Sequence, residues 1–427
     1  MPPSLKLNLG RRPGADVVGL DIQPGLVAAV QARVNGSIVA ERAAVLPLPS
    51  DTVRDGEVVD ENALSETLRE LFGDSRLSKR VRVGVANQRT VLRTLDLPPV
   101  TDRKELDAAV RFQAQDQVPM PLNNAVLDFH PLGVVDTPGG PRQRVVLVAA
   151  QRDMVERLLS AVRRAGLRPE GIDLSAFALI RSLYRSDEEH AGRVLYLNVD
   201  GLTNLAIAEG TVCRFTRVVG GGLEGMAVEL AERRGVALTE ARELLFAIDL
   251  AAPADPVHDA VVSTEVAPAP NDPAASETDM EAPAASPSAD GEERVTAQGD
   301  PVDELAMSYA EEISSMSQPP PEQAQAQVTP AEADVRLVLE NGIREIAGEV
   351  RNSLDFHRSQ EGGGEVARIV LSGAVLDLPG FTESLQSQLG IEVHAETVGV
   401  TDARLDDAVS PHRLAVAAGL ATTEAPQ

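Results

Sequence analysis

The sequence predicts an α/β protein of two similar lobes facing each other across a cleft. Three observations carry this. One order of elements, strand, polar loop, strand, Gly-centred turn, long strand, amphipathic helix, strand, helix, occurs twice in the 427 residues. A stretch with its own mixture of helix and strand patterns separates the copies. A third stretch, Ala252 to Asp334, has a composition unlike the rest and interrupts the second copy.

In the first copy, Val17 to Asp21 runs into Gln23-Pro24-Gly25, then Leu26 to Val34, then Asn35-Gly36, a strong two-residue hairpin signal, then Ser37 to Leu48. The second copy repeats the order. Val194 to Val199 meets Asp200-Gly201, Leu202 to Glu209 follows, Gly210-Thr211 turns the chain, and Val212 to Val219 forms the third strand. This is the pattern of ribonuclease H-like lobes, and in actin-type folds the two first hairpins hold a nucleotide's phosphates between them.

After the first meander, Asp60 is placed to cap a helix whose apolar stripe is Leu64, Leu68, Leu71 and Phe72. The strand Val81 to Val85 follows, and a strand, helical crossover and strand imply a parallel pairing. Residues 14–86, completed by 168–190, form the first lobe on this reading. Residues 87–167 read as an inserted α+β subdomain, with strands Val91 to Leu97, Ala125 to Gly133 and Arg144 to Ala150. Its helices are Arg103 to Gln117, stopped by Val118-Pro119-Met120-Pro121, and Asp153 to Ala165. The second lobe takes 191–251 and 335–424. There a helix from near Val335 to His357 carries the stripe Leu339, Ile343, Ile346, Val350 and Leu354, and an Ala-rich helix runs from Pro411 to Ala421.

Charge and composition exclude several classes of function. The segment 252–334 holds 18 acidic residues and one basic one, Arg294, so its net −17 leaves −9 of the total −26 for everything else. Such a chain buries too little apolar surface to offset ordering entropy, and it reads as a disordered acidic linker in which only Val302 to Met316 suggests a transient helix. Cys213 is the only cysteine, which excludes intramolecular disulfides and multi-thiolate zinc sites. No histidine cluster has metal-ligand spacing. With an acidic pI and no basic aromatic stripe, nucleic acid is not an expected partner. No apolar run approaches the roughly 20 residues of a membrane span, and Met1 to Arg12 does not resemble a secretory signal, so a cytoplasmic protein without direct membrane insertion is expected.

Four segments together resemble a known family. They are Val18-Gly19-Leu20-Asp21-Ile22; Arg111-Phe112-Gln113-Ala114-Gln115 with Val118-Pro119-Met120-Pro121-Leu122; Leu354-Asp355-Phe356-His357-Arg358-Ser359-Gln360; and Leu371-Ser372-Gly373 with Leu378-Pro379-Gly380. Their order and spacing are similar to PilM, the actin-like, FtsA-related component of type IV pilus assembly. The resemblance implies two actin-like lobes, an inserted 1C subdomain and a cytoplasmic protein recruited to the inner membrane by its partners. It also implies ATP in the cleft and a short N-terminal peptide of the inner-membrane protein PilN docked against the first lobe and 1C.

Carried over residue by residue, the resemblance places a nucleotide at Asp21, Gln23, Gly25, Asn198, Gly201, Thr203, Asn204, Ser372 and Gly373, with Asp21 beside magnesium. Several of these positions depart from the family's pattern. Pro24 supplies no N–H where phosphate should rest, and Ala28 stands where a lysine is usual. Asn198 replaces an aspartate, Asp200 brings a negative charge towards phosphate, and Ala374-Val375 replaces two glycines of the purine loop. Arg242 and Leu245 stand where ribose contacts are expected. Two readings stay open: these residues make turns, or they bind ATP and Mg2+ weakly. Either way a pseudo-ATPase is expected. The alternatives are an active ATPase of the superfamily and an FtsA-like cytoskeletal protein, though the C-terminal residues from Ala421 lack the amphipathic anchor the latter needs.

The partner groove is assigned by the same resemblance to Arg111, Gln115, Pro119 and Pro121. Arg111 and Gln115 share one helical face at i and i+4, and Phe112 is weighed as a core residue. Leu5-Lys6-Leu7-Asn8-Leu9 resembles the peptide the family's partner presents, which suggests that this tail competes for the groove. Other pilus assembly components are further expected partners.

Overall fold

A computed structural model describes residues 17–100, 102–186, 192–252, 330–360, 362–401 and 409–423. Both predicted copies are present as sheets of the same topology. In the first, strands β1 (Val18–Gln23), β2 (Leu26–Asn35) and β3 (Ser37–Pro47) form an antiparallel meander. Two strands absent from the sequence reading, β4 (Val53–Arg54) and β5 (Glu57–Val58), then make a small hairpin whose turn needs positive φ at Asp55 and Gly56. Helix α1 (Glu61–Asp74) starts where Asp60 accepts the amides of Asn62 and Ala63, at 2.8 and 3.0 Å. Such a cap satisfies two otherwise orphaned donors and is worth about 1 kcal/mol. Strand β6 (Arg80–Val85) lies parallel to β1.

The insertion follows as β7 (Val91–Leu97), α2 (Arg103–Gln117), β8 (Ala125–Thr137) and β9 (Gly140–Gln151), with the sheet order β7-β9-β8. It has its own core of Leu95, Leu97, Leu106, Val110, Val145 and Leu147. Helix α3 (Arg152–Arg164), which the sequence reading assigns to the insertion, behaves differently. Its stripe of Met154, Val155, Leu158, Leu159 and Val162 is buried in one cluster with Leu64 and Leu68 of α1 and with Val81 and Val83 of β6. Helix α3 therefore joins the first lobe's core, its long apolar face lying directly against α1, while Val146 and Val148 of β9 reach the same cluster from the insertion. Strand β10 (Arg168–Leu174), parallel to β6, and helix α4 (Ser175–Leu183) complete the unit.

The second sheet repeats the first. Strands β11 (Arg193–Val199), β12 (Thr203–Glu209) and β13 (Val212–Val219) form the meander. Helices α5 (Leu223–Arg234) and α6 (Leu238–Phe246) precede the gap in the described residues, and α7 (Pro330–Ser359) follows it. Strand β14 (Arg368–Ser372), helix α8 (Phe381–Leu389) and strand β15 (Val393–Ala395) finish the sheet in the order β13-β12-β11-β14-β15. Helix α7 starts five residues before the expected Val335, so 330–334 belong to it and not to the linker. Residues 253–329, Val302 to Met316 among them, lie outside the described residues, as does the tail Leu5 to Leu9.

The chain end corrects the assignment of all of 335–424 to the second lobe. Strand β16 (Gly399–Val400) pairs with β3, and helix α9 (Ala415–Ala421) packs against α4, β1 and β2 of the first lobe. Small residues make this possible. A Cβ on Gly19 would lie 1.8 Å from the Ala417 carbonyl oxygen, so only glycine admits the helix backbone this close. Arg82 anchors the end by donating to the carbonyls of Leu420 and Thr422, at 2.7 and 2.8 Å. Helices α4 and α9, with Tyr196, Ala206 and Cys213 of the second sheet, form an apolar layer between the sheets. Burial pushes the Cys213 thiol up to about 12, which leaves it unreactive near neutrality.

Candidate functional site

The two hairpin turns named by the sequence face one another, but they touch. Gln23 donates through Nε2 to Asp21 Oδ2 at 2.8 Å, and its Oε1 accepts the Leu202 amide at 3.4 Å. A Cβ on Gly201 would sit 2.2 Å from the Pro24 carbonyl oxygen, so the second turn rests directly on the first. Where a phosphate would need amide donors, the chain supplies its own acceptor. Asp200 Oδ1 takes the Ala374 amide at 2.7 Å and Oδ2 takes the Asn198 side-chain amide at 3.0 Å.

Strand register explains why the other predicted residues gather here. Asn198 lies opposite both Asn204 and Ser372, and Val199 lies opposite Thr203. Gly373, at φ +105°, closes on β11: a Cβ there would meet the Val199 carbonyl oxygen at 2.3 Å. Thr203 and Ser372 are fully buried, and their hydroxyls, like Asn204 Oδ1, have no hydrogen-bond partner. On the nucleoside side, Arg242 and Glu224 form a two-pronged ion pair at 2.8 and 2.5 Å against Gly25, and Leu245 is buried core. Arg413 lies 5.2 Å from the centre of the Phe246 ring and pairs with Asp377, which also binds Ser410 and His412. The sequence reading missed the Glu224 and Asp377 contacts because their partners are 18 and more than 30 residues away.

The electrostatics agree with closure. Burial pushes the Asp21 carboxyl up to about 7, against a lowering by the Gln23 hydrogen bond and with a further rise from nearby Asp200. Asp200 is raised by burial as well, while the Ala374 amide and Asn198 pull it back. The residues present do not fit a magnesium-bound triphosphate in this arrangement. Asp21 is engaged by Gln23 and protonates near neutrality, Pro24 has no N–H to offer, and Asp200 already holds the free amide. Among the described residues no group of three or more His, Cys, Asp or Glu is arranged to hold a metal ion, and no helix is long and apolar enough to cross a membrane.

The second predicted site lies on α2. Asp102 caps the helix, Leu106, Val110 and Ala114 face the core of the insertion, and Arg111, Gln115, Pro119 and Pro121 are exposed. Arg111 pairs with Asp107 one turn earlier at 2.9 Å. Phe112, weighed as core from its aromatic character, is 72% exposed instead. The buried stripe is 106, 110, 114, and position 112 falls on the opposite side of the helix.

Residues 19–199 match the model of a protein family described as type IV pilus assembly protein PilM. Among solved structures the chain is similar to the PilM-PilN type IV pilus biogenesis complex. The TM-score is 0.64 and the identity 21%, with 96% of this chain and 98% of that chain covered. Lower scores join it to ethanolamine utilization protein EutJ from Carboxydothermus hydrogenoformans (TM-score 0.45, 13% identity, 97% and 91% covered) and to MreB5 of Spiroplasma citri bound to AMPPNP (0.43, 10%, 95% and 95%). The duplicated sheet topology and the insertion after β6 agree with the fold of the PilM-PilN complex, and the first lobe with its insertion is where the chain is similar to the PilM family.

Proposed function

We propose that this protein is a cytoplasmic scaffold of type IV pilus assembly that binds the short cytoplasmic tail of a PilN-like inner-membrane protein, with a nucleotide cleft too degenerate for ATP hydrolysis. The observation that carries the reading is the exposed Phe112 between Arg111 and Gln115, on a helix whose core-facing stripe lies elsewhere. An exposed aromatic flanked by a guanidinium and an amide suits an extended peptide: the ring seats an apolar side chain while the polar groups bind backbone or a side-chain amide. Pro119 and Pro121 stiffen the chain beyond the helix.

The touching turns favour a scaffold over an ATPase, since phosphoryl transfer needs donors and a metal aligned on the γ-phosphate. Two titrations test the proposal. Thermal shift with Mg-ATP is expected to give no saturating rise at micromolar nucleotide, and a large rise abolished by Asp21→Ala would restore the enzyme reading. A labelled partner-tail peptide is expected to bind the full chain and to lose roughly tenfold or more in affinity with Phe112→Ala or Arg111→Ala. Unchanged affinity in both variants would remove α2 from the site. A chain beginning at Gly14 is expected to bind the peptide more tightly if Leu5 to Leu9 competes for the groove, and unchanged affinity would dispose of that competition.

A further inference from the structure

A second recess, unrelated to the α2 surface, lies behind the touching turns, where the first lobe meets β12, β13 and α7. Its volume is about 510 Å3. One wall is apolar, made by Val85, Leu174 and Ala176 at the C-terminal ends of β6 and β10 and the start of α4. The opposite side presents hydrogen-bond acceptors. Asn204 is only 4% exposed, lines the recess, and has an Oδ1 without a partner, as does the buried Thr90 hydroxyl beside it. Glu345 and Glu349, one turn apart on α7, close the rim. Glu349 is held by Arg217 at 2.6 Å, whereas no side chain among the described residues pairs with Glu345. The Glu345 carboxylate lies over Gly221, 3.3 Å from where a Cβ would stand, so glycine is what brings the strand end under it.

A buried acceptor without a donor costs free energy, and a ligand rich in N–H groups removes that cost. An unpaired carboxylate at the rim adds charge selectivity. We propose that this recess binds an alkylguanidinium, the chemistry of an arginine side chain or a small arginine-derived cation. Its aliphatic stem lies on Val85, Leu174 and Ala176, and its planar donors reach Glu345 and Asn204. The guanidinium has five N–H donors and no acceptor, which matches the Asn204 oxygen and the Glu345 carboxylate, while the charge of Arg217, which also lines the recess, is offset by Glu349.

The test is calorimetric or NMR titration of the full chain with agmatine, beside N-butylurea, a neutral analogue with a similar stem. Agmatine is expected to bind with a dissociation constant of roughly 0.1–1 mM, as suits a ligand of its size, and N-butylurea at least about tenfold more weakly. The exposed-site variant Glu345→Gln is expected to cost roughly tenfold, and Asn204→Leu a similar factor. Should Asn204→Leu fail to fold, Glu345→Lys serves in its place and is expected to abolish binding. A chain beginning at Gly14 distinguishes the sources: tighter agmatine binding marks Arg11 or Arg12 as the resident cation, and unchanged binding marks an external one. Equal binding of agmatine and N-butylurea, or no effect of Glu345→Gln, overturns the proposal. Neither outcome bears on peptide docking at α2, which is measured separately.

Discussion

The two copies of the sheet share the order of their five common strands, yet their first turns differ in length, two residues between Gln23 and Leu26 against three between Val199 and Thr203, and in chemistry. In the first copy the carboxylate, Asp21, sits inside β1, two residues before the strand's last residue, Gln23, which is also its one side-chain donor. In the second, Asp200 sits in the turn itself and is satisfied on both oxygens by Ala374 and Asn198. Topology alone would leave a gap for a ligand between these turns. What closes it is the residue set: a proline lacking an N–H, a glycine that lets the carbonyl of Pro24 approach, and an aspartate standing where an anion would bind.

The largest effect is expected from breaking that contact. Gly201→Ala puts a methyl 2.2 Å from a backbone oxygen that has no flexible end to move aside. A loss of about 3 kcal/mol or more is expected, or a separation of the turns. Gly210→Ala, at the outer turn of the same meander, has nothing within 4 Å and pays only for its φ of +58°, so about 1 kcal/mol is expected there. Denaturant unfolding of both variants checks the comparison, and equal losses would mean that the turns are not in firm contact.

Asp21 gives the next effect. Its folded-state pKa, raised to about 7 from 3.8, means that the native state binds the proton more tightly than the unfolded chain. Its stabilising contribution is therefore complete below about pH 4 and is lost as pH rises towards 7, with a plateau above, and Asp200 adds a slope of the same sign. Asp21→Asn is expected to flatten this alkaline limb and to raise stability at pH 8 by on the order of 2 kcal/mol. An unchanged slope in urea melts at pH 5, 6.5 and 8 would show that Asp21 is solvated and the cleft open.

Each copy also carries an insertion, and here composition and periodicity were informative to different degrees. Residues 87–167 read as an inserted subdomain of strands and two helices, and its three strands and first helix do fold on a core of their own. What the sequence left illegible was the allegiance of α3 and α9. Periodicity reveals that Leu158 and Leu159 are buried but not against which sheet, and an Ala-rich helix such as Ala415–Ala421 has no stripe to read. The candidate site was legible as a set of positions, since strand register brings Asn198, Asn204 and Ser372 together. It was not legible as a closed contact, because the Gln23 to Leu202 bond spans 179 residues. For the second insertion, the ends are held near each other: Arg336 donates to the carbonyls of Asp249 and Ala252, at 2.9 and 3.0 Å. Replacing 254–328 by about eight Gly/Ser residues is expected to preserve the fold and to raise stability by up to about 2 kcal/mol through the shorter loop. A loss beyond about 1 kcal/mol would show that the segment packs on the lobe.

The smallest effect sharpens the contrast between the lobes from the acid side. His357 of α7 is 3% exposed, neither ring nitrogen has a partner, and its ring lies tilted at 50° to that of Phe215 with the centres 6.2 Å apart. Burial lowers its pKa below the usual 6.5, and the charges of Arg193 and Arg214 push it the same way. The unfolded chain therefore takes up the proton first. Stability that is present above about pH 6.5 is lost as pH falls through the folded-state value, the reverse of the Asp21 limb. His357→Phe keeps a ring against Phe215 and removes both unsatisfied nitrogens, so it is expected to be neutral or stabilising by about 1 kcal/mol at pH 7 and to abolish this acid limb. Combined with Asp21→Asn, it is expected to leave only the slope that Asp200 contributes, because the two sites lie in different lobes and their effects should add. A double variant that keeps the acid limb would place the titrating group elsewhere in the second lobe, and non-additive melts would mean that the cleft couples the two sites after all.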